Sequence, residues 1–163
     1  MVHYCPHCWQ EIPAVVDRCP HCGRVPDDSD LPYVERLLKT LRHPEPTRVG
    51  LAIDILADRL HEPRAVAPLI DLLASSEDVA VRRQAVRGLG RLGDSRAVSP
   101  LVRILADPKA PYVVRSEAAS SLGKIGGKAT EEALRRALED PRPSVSQAAR
   151  QALGSMVSHR RLR

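Results

Sequence analysis

The amino-acid sequence repeats itself with a period of about 33 residues, and no other feature limits its fold so tightly. Val81, Ala85, Leu89 and Leu92 recur one period later as Val114, Ala118, Leu122 and Ile125, and after a slightly shorter step as Val145, Ala149, Leu153 and Met156. Steps of four, four and three put each set on one helical face. Leu89-Gly90 matches Leu122-Gly123 and Leu153-Gly154, with Leu56-Ala57 in the same place upstream. A small residue there suits close packing and a sharp exit at a helix end. A second helix follows each of these: Leu101 and Leu105 recur as Leu134 and Leu138, as Leu69 and Leu73 and as Leu37 and Leu41. The predicted order is a lone second-type helix at 31–42, three complete pairs, and a final first-type helix at 143–158. Around Ala52 the pattern fits less well, because Arg48 and Arg59 fall on apolar positions, which predicts a one-residue slip in register. Each helix is too short and one-sided to hold alone, so stacked neighbours must bury the stripes in one continuous core. Phe is absent, so that core is aliphatic.

All four cysteines fall at the start of the chain, as Cys5-Pro6-His7-Cys8 and Cys19-Pro20-His21-Cys22-Gly23. A Cys-x-x-Cys turn points two thiolates at one place, and its backbone amides can donate to the sulfurs. Two such turns face to face supply four soft ligands in the tetrahedron that Zn²⁺ prefers in structural sites. A segment this short cannot bury enough apolar area to fold alone. Structural zinc, which contributes about 10–16 kcal/mol of apparent binding energy in small modules, is the expected source of its stability. Four cysteine ligands leave no open position for water, which argues against a catalytic metal. Disulfides would need an oxidising compartment to which nothing in the sequence points. Thiol redox chemistry uses one such motif on a strand-to-helix turn, whereas here there are two without that context. Cys5, Cys8, Cys19 and Cys22 are therefore the expected metal ligands. His7 and His21 are expected in solvent, and Tyr4 and Trp9 are expected to pack over the metal site.

The cysteine pairs, through Cys-Pro-x-Cys and Cys-Pro-x-Cys-Gly, resemble the zinc-ribbon family over residues 3–25, which implies a short β-rich module. The repeat resembles HEAT repeats, in the subclass first associated with phycobilin lyases. Val81-Arg82, Ala85, Leu89-Gly90, Gly93-Asp94, Arg96-Ala97-Val98, Pro100-Leu101, Leu105 and Asp107-Pro108 carry that likeness, which covers residues 31–158. It implies an all-α fold, a right-handed α-solenoid of HEAT-type helical pairs, preceded here by the zinc-ribbon module. In that family a buried arginine at the Arg82 and Arg115 positions ties to loop aspartates, for which Asp107 and Asp140 are the candidates. The expected division is a zinc knuckle at 1–26, a linker at 27–30, the solenoid at 31–158 and a basic tail at 159–163. A lone helix at 31–42 would leave a vacant place at the end of the stack, which the knuckle is expected to fill.

Charge is unevenly spread. Residues 1–30 net −3, and residues 31–163 net +8. Such an excess either keeps a surface solvated or attracts an acidic partner or a phosphate backbone. Second-type helices are expected to line the concave face, as the resemblance implies. Aligned, they put Lys39, Asp71, Arg103 and Arg136 at one outward position. Lys39, Arg103 and Arg136 are thus candidate partner-binding residues, either a ladder facing an acidic peptide or domain or an ordinary solvated stripe.

No nucleophile–base–acid set is visible. HEAT proteins resembling deoxyhypusine hydroxylase bind two irons through repeated His-Glu pairs on first-type helices. Here His61-Glu62 is a single pair before Pro63. The aromatic residues are only Tyr4, Trp9, Tyr33 and Tyr112, a poor platform for stacking bases. The expected function is a non-catalytic scaffold or adaptor that binds a partner protein. Nucleic-acid association through the basic solenoid and tail comes second, and a lyase-like accessory role third. No apolar run approaches the ~18 residues of a membrane span. The start lacks the features of a secretory signal, so a cytoplasmic location is expected.

Overall fold

The computed structural model describes residues 3–161, and their side chains as far as Val157. Two short strands, β1 (His3–Tyr4) and β2 (Glu11–Ile12), pair antiparallel, with His3 opposite Ile12 and Tyr4 opposite Glu11. Eight α-helices follow among the described residues: α1 (Tyr33–Thr40), α2 (Pro46–Asp54), α3 (Val66–Ser75), α4 (Val79–Leu92), α5 (Val98–Ala106), α6 (Tyr112–Ile125), α7 (Lys128–Ala137) and α8 (Pro143–Arg161). A π-helical turn, Ile55–Arg59, continues α2, and 3₁₀ turns at Pro63–Ala65 and Ser95–Ala97 lead into α3 and α5. Of the basic tail at 159–163, the backbone as far as Arg161 continues α8. Its side chains lie outside the described residues.

Local chemistry explains the boundaries. Asp78 opens α4 by accepting the amides of Ala80 and Val81 at 2.7 and 3.0 Å. Gly93, at φ 68°, closes it in the left-handed conformation common after helices. No side chain caps the start of α1. Asp27 accepts the amide and hydroxyl of Ser29, and Pro32 precedes the helix.

α1 packs on α2, α3 on α4, α5 on α6 and α7 on α8. The solenoid is thus four helical hairpins, and α1 is not the lone helix expected from the sequence. One aliphatic core runs through all of them. Leu56, Leu89 and Leu122 are fully buried from one helix type, and Leu69, Leu101 and Leu134 from the other. Each such leucine contributes about 1.5–3 kcal/mol by leaving water.

The two helix layers are not equally spaced. A Cβ added to Gly90 would lie 2.5 Å from the Ser121 side chain, and one on Gly123 2.6 Å from Ala152. Ser121 Oγ donates to Val86 O across the same gap at 3.0 Å. Ion pairs also cross it: Arg87–Asp54 at 3.5 Å, Arg83–Glu117 at 3.1 Å, and Arg91–Asp58. Among the described residues no ion pair joins α3, α5 and α7 to one another. A stack bends toward its more closely spaced layer, so α2, α4, α6 and α8 line the concave side. The expectation that second-type helices do so is corrected by this spacing.

The slip expected near Ala52 is resolved as an insertion. The stretch from Ala52 to His61 is one residue longer than the equivalent stretch from Ala85 to Gly93. The π turn absorbs the extra residue. His61, at φ 48°, then takes the left-handed position that Gly93 holds in the next repeat. At the start of the helix Val49, not Arg48, is buried.

Candidate metal centre and concave groove

The two cysteine turns are copies of each other. The Cys5 amide donates to Gln10 O and the Trp9 amide to Cys5 O, at 3.0 and 2.9 Å. The Cys19 amide donates to Arg24 O and the Gly23 amide to Cys19 O, at 2.8 and 2.9 Å. His21 is exposed, as expected, and His7 is half-buried, but both rings are hydrogen-bonded. His7 Nε2 lies 3.0 Å from Val25 O and His21 Nε2 lies 3.2 Å from Glu11 O, so each turn is bonded to the segment leaving the other.

This arrangement brings all four sulfurs within 4.8 Å of one another, with Cys5–Cys22 and Cys8–Cys19 each at 3.7 Å. The Gln10 amide draws the Cys8 thiol down, but burial and the other three sulfurs outweigh it and push it up to about 12. Burial pushes the Cys19 thiol up, but the amides of Cys22 and His21 and the neighbouring sulfurs bring it down to about 6. One sulfur gives up its proton readily while another holds its own, because negative charges cannot crowd so closely without a cation to offset them. These four cysteines could hold a metal ion, and the donor set fits a soft, tetrahedral one. Cys5, Cys19 and Ile12 form a small core of their own, separate from that of the helices.

Tyr4 and Trp9, expected over the sulfurs, turn instead to His43 beyond α1. His43 stands where two later repeats carry Asp107 and Asp140, and that substitution was its signal in the sequence. Trp9 carried a signal, since it stands where the second turn has Gly23.

Lys39 on α1 is held by Asp28 at 3.7 Å. Arg103 on α5 and Arg136 on α7 are exposed on the outer layer, away from the knuckle. The concave layer has its own opening, which sequence reasoning missed. Between α6 and α8 a groove of 720 Å³ is bounded by Ser120, Lys124, Gln151, Ser155 and Met156. The charge pairs of α2, α4 and α6 do not continue here. The helical repeat alone could not reveal it, because the groove arises where one copy carries small side chains in place of charged ones.

His61 and Glu62 are structural. Glu62 accepts the Arg64 amide at 3.0 Å and its Nε at 2.9 Å, which fixes the 3₁₀ turn. Among the described residues the four cysteines are the one group placed to hold a metal. No described helix is long and apolar enough to cross a membrane.

The expected buried arginine is present at Arg115, which is 6% exposed and ion-paired to Asp140. Arg82 does not reach Asp107, and its buried Nε has no partner. Asp107 accepts the Lys109 amide at 2.9 Å, as Asp140 accepts that of Arg142, but it is exposed. The loop from Asp107 to Val114 is longer than the equivalent one from Asp140 to Val145, and the added length turns Asp107 outward.

Known proteins share this architecture. The chain is 45% identical over 47 residues to the bilin biosynthesis protein PecE of Mastigocladus laminosus, covering 29% of this chain and 18% of that protein. It superposes on a chain from the complex of CpcE and CpcF of phycocyanin lyase from Nostoc sp. PCC7120 with a TM-score of 0.65 and 27% identity. That match covers 90% of this chain and 59% of the other. Human deoxyhypusine hydroxylase in complex with glycerol superposes with a TM-score of 0.65 and 25% identity, over 90% of this chain and 50% of that one. The chain thus spans well under two thirds of the length of each relative. The expectation of a chain that catalyses nothing is corrected by these relatives, a bilin biosynthesis protein and a component of a lyase. That expectation rested on the lack of a local catalytic motif, whereas a solenoid assembles its surfaces from residues a full repeat apart. The family model of HEAT repeats matches residues 34–115 and 109–163, and the chain belongs to the HEAT-repeat family.

Proposed function

We propose that this chain is a lyase-like HEAT protein that receives a partner protein in the concave groove between α6 and α8. The observation that carries the reading is the groove itself. Ser120, Gln151 and Ser155 stand there in place of ion pairs, with Lys124 the one charged side chain among the lining residues, leaving apolar wall and a polar rim. Binding sites on solenoids favour such concave surfaces. The relatives support it, since one is a bilin biosynthesis protein and another is from the complex of two chains of a phycocyanin lyase.

The test is capture of a partner from the host by the intact protein and by Ala148→Trp, which fills the groove from α8. The parent is expected to retain a partner that the variant loses with its helicity intact. Absorbance of the purified complex screens for a bound bilin pigment. Equal capture by both proteins defeats the groove reading.

Within the same proposal, residues 1–26 form a knuckle whose Cys5, Cys8, Cys19 and Cys22 hold structural Zn²⁺, joined through 27–30 to the solenoid at 31–158. Soft donors in a closed set of four favour zinc in such sites. Native mass spectrometry is expected to find one zinc ion per chain, and none in Cys5→Ser/Cys19→Ser.

A second surface is favoured by one observation. Among the described residues, neither Arg103 nor Arg136 is ion-paired, whereas many arginines of the inner layer are. They leave two free cations on the outer layer for an acidic partner, with Lys39 already engaged. Unchanged partner affinity at low salt in Arg103→Glu/Arg136→Glu would retire this surface.

A further inference from the structure

Trp9 has a backbone φ of 60°, in the left-handed region that a bulky L-residue avoids. Its counterpart in the second cysteine turn is Gly23, at φ 73°. Both turns need this conformation to send the chain back, so that the next carbonyl, of Gln10 or Arg24, accepts the amide of the first cysteine. Glycine adopts it freely, whereas tryptophan is strained. Strain of this kind persists only where surrounding contacts hold it.

The contact that Trp9 makes is with His43, its ring centroid 4.8 Å away and the planes at 63°. Tyr4 meets the same imidazole at 5.0 Å and 76°. His43 is 7% exposed and ties α1 to α2. Its amide donates to Thr40 O at 3.0 Å, at the end of α1. Its Nδ1 accepts the amide of Glu45 at 3.0 Å, immediately before α2. The first hairpin needs such support. α1 is short, with Leu37 its one buried residue, and a helix of that length does not persist by itself.

We propose that Trp9 is the docking residue through which metal loading of the cysteine knuckle orders the first helical hairpin, α1–α2. Closing the cysteine turn fixes Trp9 and Tyr4 as a pair, and the pair clamps His43. An open turn releases the Trp9 backbone from its strained conformation, and with it the clamp. The inference rests on the metal reading of the four cysteines given above.

Trp9 is the only tryptophan in the chain, so its fluorescence reports the contact directly. The full chain is stripped with a chelator and titrated with Zn²⁺, while bound metal, tryptophan emission and hydrogen exchange are followed. Zinc uptake is expected to shift the emission to shorter wavelength and to slow exchange over residues 33–59 about tenfold. Residues 98–137 are expected to be unaffected. Trp9→Gly, which matches the second turn, is expected to bind zinc at least as tightly as the parent yet leave 33–59 unprotected. His43→Ala is expected to bind zinc but lose both the emission shift and the protection. If zinc binds while exchange over 33–59 stays the same, or if Trp9→Gly orders the hairpin as well as the parent, the coupling is overturned and the metal reading stands. No zinc uptake at all overturns both.

Discussion

Arg115 and Asp140 pair across 25 residues, and both are almost wholly removed from water. The same guanidinium donates from Nε and Nη2 to Leu105 O, at 3.0 and 2.9 Å, which satisfies a carbonyl in the last turn of α5. Asp140 also accepts the Arg142 amide at 3.0 Å, just before α8 begins. One ion pair therefore holds the end of α5, the middle of the hairpin stack and the entrance to α8.

Breaking that pair from one side leaves a buried charge uncompensated. Arg115→Ala is expected to destabilise the protein by about 3–5 kcal/mol, measured by urea denaturation. Hydrogen exchange should rise in α5 and α8 before it rises in α2. A loss no larger than that of an exposed arginine would show that the pair does not bear on stability.

The close approach of the inner helices makes a different prediction. Gly90→Ala and Gly123→Ala drive a methyl group into Ser121 and Ala152, and each is expected to cost about 1–3 kcal/mol. Gly154, also helical, meets nothing within 4 Å of an added Cβ among the described residues. Gly154→Ala is expected to stabilise by roughly 0.5–1 kcal/mol through helix propensity alone. Thermal melts of the three variants separate packing from propensity.

At the π turn, His61 occupies a left-handed position that suits glycine. His61→Gly is expected to gain up to about 1 kcal/mol by removing that strain. Gly93→Ala, the reverse experiment one repeat later, is expected to lose a similar amount. Opposite signs in equilibrium unfolding confirm that the two positions are equivalent despite the inserted residue.

Asp94 carries a pH signature. Hydrogen bonds from the Arg96 side chain, then from its amide, hold the Asp94 carboxyl down to about 2. A depressed carboxyl contributes its full stability above its ordinary value and loses it as pH falls toward the folded one. Asp94→Asn should therefore be less stable than the parent by a constant amount from neutral pH down to about 4. That gap should close as the pH approaches 2. Circular dichroism melts across this range test it, and a gap that survives through the whole acid range contradicts the assignment.

The solenoid was legible in the sequence because its positions recur: Leu89 and Leu122, or Leu101 and Leu134, lie in the core where the period puts them. The cysteine pairs were equally legible, since their spacing alone brings four sulfurs together. Periodicity does not say which helices form a hairpin, so α1 looked unpaired, and it does not say which layer lies closer. That depends on Gly90 meeting Ser121 and Gly123 meeting Ala152, contacts between residues one repeat apart. Nor did the pattern reveal the role of His43, which stands where later repeats carry Asp107 and Asp140 but meets Tyr4 and Trp9 only when the knuckle folds back over α1.

His7 and His21 give the cysteine knuckle a reciprocal lock, each half grasping the outgoing segment of its twin. A fastening of that form has no half-open position. Loosening one clasp surrenders the other, so a metal held by the four cysteines should leave in a single cooperative event, not by successive detachment of individual thiolates.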